Sequence, residues 1–247
     1  MKPQADVGVY GVAYRVLESL LFFPAIFAGI MMPILSQDAV SNMAHFREVF
    51  KKSFRVIAMF AFPVVGGGVV LSYSIANIIA GVEFQVAGAP MQALFFAVGI
   101  IFFGNLLGRA IIALDLQKKA VFVYLFGVIL NVVLNLIFIP KYTYMGAAWT
   151  TVATEFLIVV FLFWLIHKKA RVSFDIKNTI KAAFAAAFMT IVLFFLVLPI
   201  TSSLSFLKLI VATLGGGIIY FGALYLLGGV DTGWLKSGFN LQRRRRQ

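Results

Sequence analysis

The sequence predicts an all-α protein, a multi-pass bundle of transmembrane helices, and three observations carry this prediction. Hydrophobic residues make up 62% of the 247 residues and charged residues only 12%, against about 25% charged residues in a soluble domain. Apolar runs of about 20 residues, enough to span a bilayer as a helix, follow one another along the chain. These runs lack the alternation of apolar and polar residues that marks a membrane β-barrel.

Seven apolar segments are predicted to cross the membrane as one helical lobe over residues 1–235. They lie at about Val9–Leu35, Phe54–Ile79, Met91–Leu114, Ala120–Ile139, Met145–Ile166, Ile180–Leu198 and Phe206–Val230. A basic tail, residues 236–247, ends in four consecutive arginines. Because the tail follows a membrane helix, we expect it to contact anionic lipid head groups in the cytoplasm rather than nucleic acid.

The first segment combines an apolar span with two ionisable residues and a helix breaker. Arg15 and Glu18 are spaced i,i+3, so they lie on one helical face. Pro24 removes a backbone hydrogen bond inside the span and is expected to kink it. The charges indicate either a working patch in a cavity or an ion pair at the outer interface.

The second segment contains Pro63, then Gly66–Gly68, Ser72, Ser74 and Asn77. This composition predicts an interrupted helix. Broken helices mark binding sites in many transporters, but small residues also allow close packing between helices. The sequence alone favours packing.

Basic and non-basic loops alternate along the chain. The first, third and fifth loops and the tail are rich in Lys and Arg, whereas the second and sixth have none and the fourth has only Lys141. By the positive-inside rule the basic loops are cytoplasmic, which puts the N-terminus outside and the C-terminus inside. An N-out start suggests that this chain is the C-terminal part of a longer transporter.

A few polar side chains remain inside the apolar segments, where they are costly and usually face a bundle interior or a wet cavity. Asn105 and Arg109 share a face, as do Asn131 and Asn135, and Glu155 is near mid-membrane. The three asparagines and Arg109 are candidates for substrate binding together with Arg15 and Glu18, while packing for the asparagines and snorkelling for Arg109 stay open. Glu155 is a candidate coupling-ion or proton site, or a protonated packing residue.

Enzyme chemistry has little support in the sequence. Metal-ligand motifs, phosphate-binding glycine loops and nucleophile elbows are absent, and so is cysteine. His45 and His167 fall in polar loops and are expected to be solvated. We therefore predict no cofactor and no metal.

Three stretches carry a resemblance to a known family, and the shortest of them is Gly81-Val-Glu-Phe84 after the second segment. Residues 7–18, Val-Gly-Val-Tyr-Gly-Val-Ala-Tyr-Arg-Val-Leu-Glu, precede Phe-Pro-Ala-Ile and Met-Pro-Ile-Leu-Ser. Asn131 and Asn135 are followed by Ile139-Pro140, and then by Gly-Ala-Ala and Glu155. This order resembles the bacterial polysaccharide flippases, the O-antigen and oligosaccharide-repeat exporters of the multidrug/oligosaccharidyl-lipid/polysaccharide superfamily.

The resemblance implies the second lobe of a two-lobe, MATE-like transporter in the inner membrane, with the first lobe missing from this chain. It implies export of an undecaprenyl-pyrophosphate-linked oligosaccharide by alternating access, with Arg15 as the cavity cation for the pyrophosphate. Its partners would be that lipid-linked substrate, membrane lipids and the missing lobe, and no nucleic acid. A cation-coupled multidrug antiporter is the alternative, and a membrane-embedded polymerase or glycosyltransferase is disfavoured because the outer loops are short.

Overall fold

The computed structural model describes residues 4–197 and 206–229, and these form helices joined by short connections. The predicted basic tail and the neutral sixth loop lie outside the described residues. The all-α expectation is confirmed. The helices are α1 (Gln4–Leu20), α2 (Phe22–Ser41), α3 (Met43–Ala80), a 3₁₀ helix (Val82–Ala87), α4 (Gly88–Ala113), α5 (Gln117–Ala170), α6 (Ile176–Val197) and α7 (Phe206–Leu226).

Six helical stretches of the described chain are long and apolar enough to cross a membrane. The first of them, Asp6–Ser41, is α1 and α2 in succession, with a break at Leu21. The break lies one turn before Pro24, which has no N–H to donate and whose ring crowds the carbonyl four residues earlier. The kink predicted for this segment is therefore present.

Helix α3 differs from its prediction, because it runs without a break through Pro63 and the three glycines. The glycines instead permit close contacts. A Cβ on Gly68 would overlap the ring of Phe95 on α4, and one on Gly66 would overlap Thr190 on α6. The small residues of α3 thus serve helix packing, the second of the two roles that the sequence left open.

Helix α5 is a hairpin rather than one straight helix. Its 54 residues would extend about 80 Å as one helix, far beyond the roughly 30 Å of a bilayer core. Thr143 has φ 51° and ψ −130°, which reverses the chain. Gly127 then lies against Ile158, so residues 117–142 form a first arm and residues 144–170 an antiparallel second arm. Counting the arms separately gives seven membrane-length segments in the described part.

Helix α4 is the centre of the bundle. It packs against α1, α2, α3 and both arms of α5, and buried apolar side chains such as Phe102, Leu106 and Leu107 lie along it. Helices α6 and α7 form a smaller apolar cluster of their own around Met189, Leu193 and Tyr220, which packs on α3. The lobe therefore consists of a main bundle with a helical pair attached to one side.

Polar contacts join the basic loops at one end of the bundle. Arg47 Nε donates a hydrogen bond of 2.6 Å to the carbonyl oxygen of Ala170, which is the last residue of α5. Arg55 Nη1 lies 3.5 Å from Asp175 Oδ2. Burial raises the pKa of Asp175, but hydrogen bonds from Asn178 and the charges of Arg55 and Lys51 outweigh it, so the net pKa lies below its usual value. The first and fifth loops thus lie at the same end, as their shared basic character predicts.

A substitution in α3 tests the packing role of its glycines. Gly68→Ala is expected to destabilise the chain by about 1–3 kcal/mol, the typical cost of overpacking, because Phe95 is buried and leaves no room for a methyl group. The readout is the thermal unfolding midpoint in detergent. Gly67→Ala is the matched control, since its Cβ would lie 3.8 Å from Met189 Cε in ordinary contact. Equal midpoints for the two variants would contradict the packing role.

Candidate functional site

A groove between α4 and the two arms of α5 collects three of the predicted polar residues. Asn105 and Arg109 line it from α4, Glu155 from the second arm, and Gln117 and Tyr124 from the first arm. Its volume is about 450 Å³, within the range of about 300–1,000 Å³ that ligand pockets occupy. Gly104 and Gly108 also line this groove; their missing side chains leave space between α4 and the hairpin. We call this cavity the α4–α5 groove.

The charges in the α4–α5 groove do not neutralise each other directly. The ion pairs formed among residues 4–197 and 206–229 include neither Arg109 nor Glu155. Arg109 Nη1 lies 3.9 Å from Met32 Sδ on α2, a weak acceptor. Asn105 Nδ2 donates to Ile101 O at 3.0 Å, which fixes its amide group. A cation and a carboxylate thus line one cavity without a salt bridge, an arrangement that membrane depth permits only where water or a ligand reaches them.

Asn131 and Asn135 belong to a different cluster, at the contact between the two arms of α5. Asn135 Nδ2 donates to Asn131 Oδ1 at 2.9 Å, and Asn131 Nδ2 donates to Thr154 Oγ1 at 3.1 Å. Thr154 in turn donates to the carbonyl of Thr150 at 2.9 Å. The Asn131–Thr154 bond joins the two arms, which is the packing role that the sequence left open. Among the described residues, Asn135 Oδ1 and Thr150 Oγ1 are buried without a hydrogen-bond partner.

Arg15 and Glu18 form a third location, on the exposed face of α1. Among the described residues they make neither an ion pair with each other nor one with any other side chain. Tyr14 beside them is also exposed and stacks on Tyr10, with ring centroids 5.8 Å apart. The Tyr10 hydroxyl reaches Thr151 Oγ1 on the second arm of α5 at 3.4 Å. The α1 face therefore borders the second arm one helical turn from Glu155.

Both histidines are exposed, in agreement with the solvated role expected from the sequence, and each also has a defined partner. His45 Nδ1 lies 2.8 Å from Asp38 Oδ2, across the turn between α2 and α3. His167 Nδ1 lies 2.7 Å from Val172 O, where α5 ends. In the part of the chain that the structure describes, no group of three or more His, Asp or Glu side chains is placed to hold a metal ion. The histidines stabilise chain turns.

Gln117 and Tyr124 are the groove residues that sequence reasoning missed. Tyr124 lies among aliphatic residues early in the first arm of α5, and a tyrosine hydroxyl inside an apolar span usually needs a polar neighbour. The hydroxyl of Tyr124 therefore indicates a polar neighbour but does not identify it. That neighbour, Glu155, lies 31 positions later in the sequence and is brought close to Tyr124 by the hairpin.

The fold and the polar groups inside it define a multi-pass membrane protein: a lobe of packed membrane helices with one charged exposed helix face and one charged groove. Comparison with known proteins makes this class definite. The family described as "Lipid II flippase MurJ" matches residues 9–215. The chain belongs to this family, within the superfamily that the sequence predicted. The proteins that give this family its description are flippases, which are transporters and not enzymes, and the sequence likewise predicted a transporter.

Two individual proteins illustrate the likeness. The chain is 28% identical over 149 residues to a probable low-salt glycan biosynthesis flippase, Agl15, of Haloferax volcanii, covering 60% of this chain and 32% of Agl15. Its structure matches a lipid II flippase MurJ in an inward closed conformation with a TM-score of 0.72 and 15% identity. That match covers 94% of this chain and 48% of the MurJ chain. The chain therefore spans at most about half the length of these relatives.

A double-mutant cycle tests the contact between the arms of α5. Asn131→Leu and Thr154→Val each remove one partner of the interhelical hydrogen bond. We expect a coupling free energy of about 0.6–1.7 kcal/mol, the range for such bonds in membrane proteins, measured by reversible unfolding in mixed micelles. Ser41→Ala is the control, because its hydroxyl bonds only within its own helix. A coupling energy of zero would show that the bond does not stabilise the hairpin.

Proposed function

We propose that this chain forms one lobe of a transporter that flips a lipid-linked oligosaccharide across the inner membrane by alternating access, for cell-surface glycan synthesis. The observation that carries the proposal is the fit of 94% of the chain to about half of a lipid II flippase structure. Both relatives are named as flippases, one for lipid II and one for glycan biosynthesis. The proposed cargo is an O-antigen or another oligosaccharide repeat unit.

The exposed face of α1 supports a two-lobe arrangement. Arg15 and Glu18 lie in a membrane-length helix, exposed and without a partner among the described residues. A charge at such a position is costly unless it meets water, an anionic ligand or another part of the protein. A second lobe opposite α1 would enclose these side chains in a central cavity. There the Arg15 guanidinium, a planar fork of donors, suits a pyrophosphate.

The proposed orientation has the basic end of the lobe in the cytoplasm. Contacts between the first and fifth loops, and between Lys181 Nζ and Gly228 O at 2.9 Å, bring the basic loops and the end of α7 to one side. Positive loops are retained in the cytoplasm. The turn at Thr143 and the 3₁₀ helix would then face outwards, with the N-terminus.

Substitutions of Arg15 test the pyrophosphate role. In the assembled transporter, Arg15→Ala should reduce flipping about 100-fold, and Arg15→Lys about tenfold because lysine keeps the charge but loses the fork. Glu18→Gln should have a milder effect. The measurement is the transfer of a lipid-linked oligosaccharide between leaflets of proteoliposomes, followed by its accessibility to an added glycosidase.

Lys118→Ala is the control for these variants, since Lys118 is an exposed cation at the start of α5 and outside the proposed cavity. It should leave the flipping rate unchanged. Full activity of Arg15→Ala would remove Arg15 from the site. Equal activity of the arginine and lysine proteins would indicate a charge that only snorkels to the interface.

Single cysteines test the orientation, because the chain has no cysteine of its own. Cysteines replacing the exposed residues Ser41 and Ser173 at the basic end should react with an impermeant maleimide only after the cytoplasmic side is opened. A cysteine replacing Val86, which is 52% exposed on the 3₁₀ helix, should react in intact cells. The reverse pattern would invert the proposed topology.

A further inference from the structure

We propose that the α4–α5 groove binds an acidic sugar of the transported head group, with Arg109 holding its anionic substituent and Glu155 accepting hydrogen bonds from its hydroxyl groups. This proposal rests on the proposed flippase function and deepens it, because it names a substrate class: an anionic oligosaccharide. It also replaces the role of coupling-ion site that the sequence suggested for Glu155.

The first support is the uncompensated charge inside the groove. Arg109 and Glu155 line the same 450 Å³ cavity without forming a salt bridge. The two opposite charges are held by different helices, Arg109 by α4 and Glu155 by the second arm of α5. Such an arrangement leaves the donors of Arg109 and the acceptors of Glu155 available to a ligand that carries both an anion and hydroxyl groups. A saccharide with an acidic group has both.

The second support is the chemistry of the remaining lining. Asn105 and Gln117 contribute amide groups, which accept from and donate to hydroxyls, and Tyr124 contributes an aromatic ring with a hydroxyl. Two other cavities, of about 310 and 590 Å³, carry no charged side chain in their lining. The α4–α5 groove thus differs from them by its ability to hydrogen-bond a polar, charged ligand.

A metal cation fits the groove poorly. Glu155 is its single carboxylate, and Arg109 shares the cavity and would repel a cation. Hard cations prefer six or more oxygen ligands, with several carboxylates or carbonyls among them. The positive charge of Arg109 attracts an anionic ligand, whereas it repels a cation.

The position of the groove also suits a head group held at the α1 face. Tyr10 on α1 contacts Thr151, and Glu155 follows Thr151 by one turn on the second arm of α5. Met32 on α2 contacts Arg109 at the other side of the groove. The groove therefore adjoins the helix whose Arg15 is proposed to hold the pyrophosphate, so sugars attached to that pyrophosphate would lie close to Arg109.

The experiment compares three soluble probes: methyl glucuronide, methyl glucoside and acetate. Binding to the transporter that contains this chain, in nanodiscs, is measured by saturation-transfer NMR. The wild type should bind the glucuronide at least tenfold more tightly than the glucoside or acetate. Arg109→Gln should abolish this preference, Arg109→Lys should keep part of it, and Glu155→Gln should weaken both sugars by about tenfold, the effect of one charge-assisted hydrogen bond.

Lys118→Gln removes an exposed cation near the same end of α4 and should leave the preference intact. Equal binding of glucuronide and glucoside by the wild type would overturn the proposal, as would a preference that survives in monodisperse Arg109→Gln. Equal binding of acetate and glucuronide would show an anion site without sugar recognition and would also overturn it. If the wild type flips a lipid-linked oligosaccharide but lacks the preference for glucuronide, only the proposed role of the groove is overturned. If the wild type does not flip the lipid, the proposed function is overturned.

Discussion

The lobe depends on one constraint: in the hydrocarbon of a bilayer no water is available to satisfy the backbone, so each N–H and C=O must find a partner within the protein. Helices satisfy this demand, and the exceptions in this chain are local. At the break between α1 and α2, Leu21 N bonds to Glu18 O at 3.2 Å and Ala25 N bonds to Leu21 O at 3.3 Å. The chain also reverses direction at Thr143, where the first arm of α5 ends and the second arm begins. Glycine-rich α3 remains helical because breaking it would expose unpaired backbone groups.

The sequence was sufficient for the class of fold, since hydropathy and length determine which segments are membrane helices. It was also sufficient for the kink near Pro24, because the missing N–H acts locally. It failed for α3, where the propensities of Pro63 and the glycines indicated an interruption that helix packing and the membrane environment overrule. Local propensity is a weak guide when the alternative to a helix is an unpaired backbone in lipid.

Three polar residues of the candidate groove, Asn105, Arg109 and Glu155, were candidates from the sequence, whereas Gln117, Tyr124 and the grouping of these residues were not predicted. Polar residues in apolar segments are conspicuous, and all seven candidates could be identified from the sequence. The tertiary structure decides which of these candidates lie close together, through the hairpin of α5 and its packing against α4. Glu155 therefore lines the same groove as Arg109, 46 positions earlier, while Asn131 donates to Thr154 and Asn135 donates to Asn131. Long-range pairing of this kind leaves no signal in the spacing of residues along a single chain.

The hairpin of α5 also bears on how the chain enters the membrane during synthesis. Two amides, Asn131 and Asn135, must pass from the translocon into lipid on a helix that is otherwise apolar. Thr154, the hydrogen-bond partner of Asn131, follows it by only 23 residues and is therefore synthesised shortly after it. If both arms leave the translocon together, the amides are shielded before they meet lipid, whereas the first arm alone would carry them exposed. The hairpin therefore favours insertion of the two arms together, as one unit.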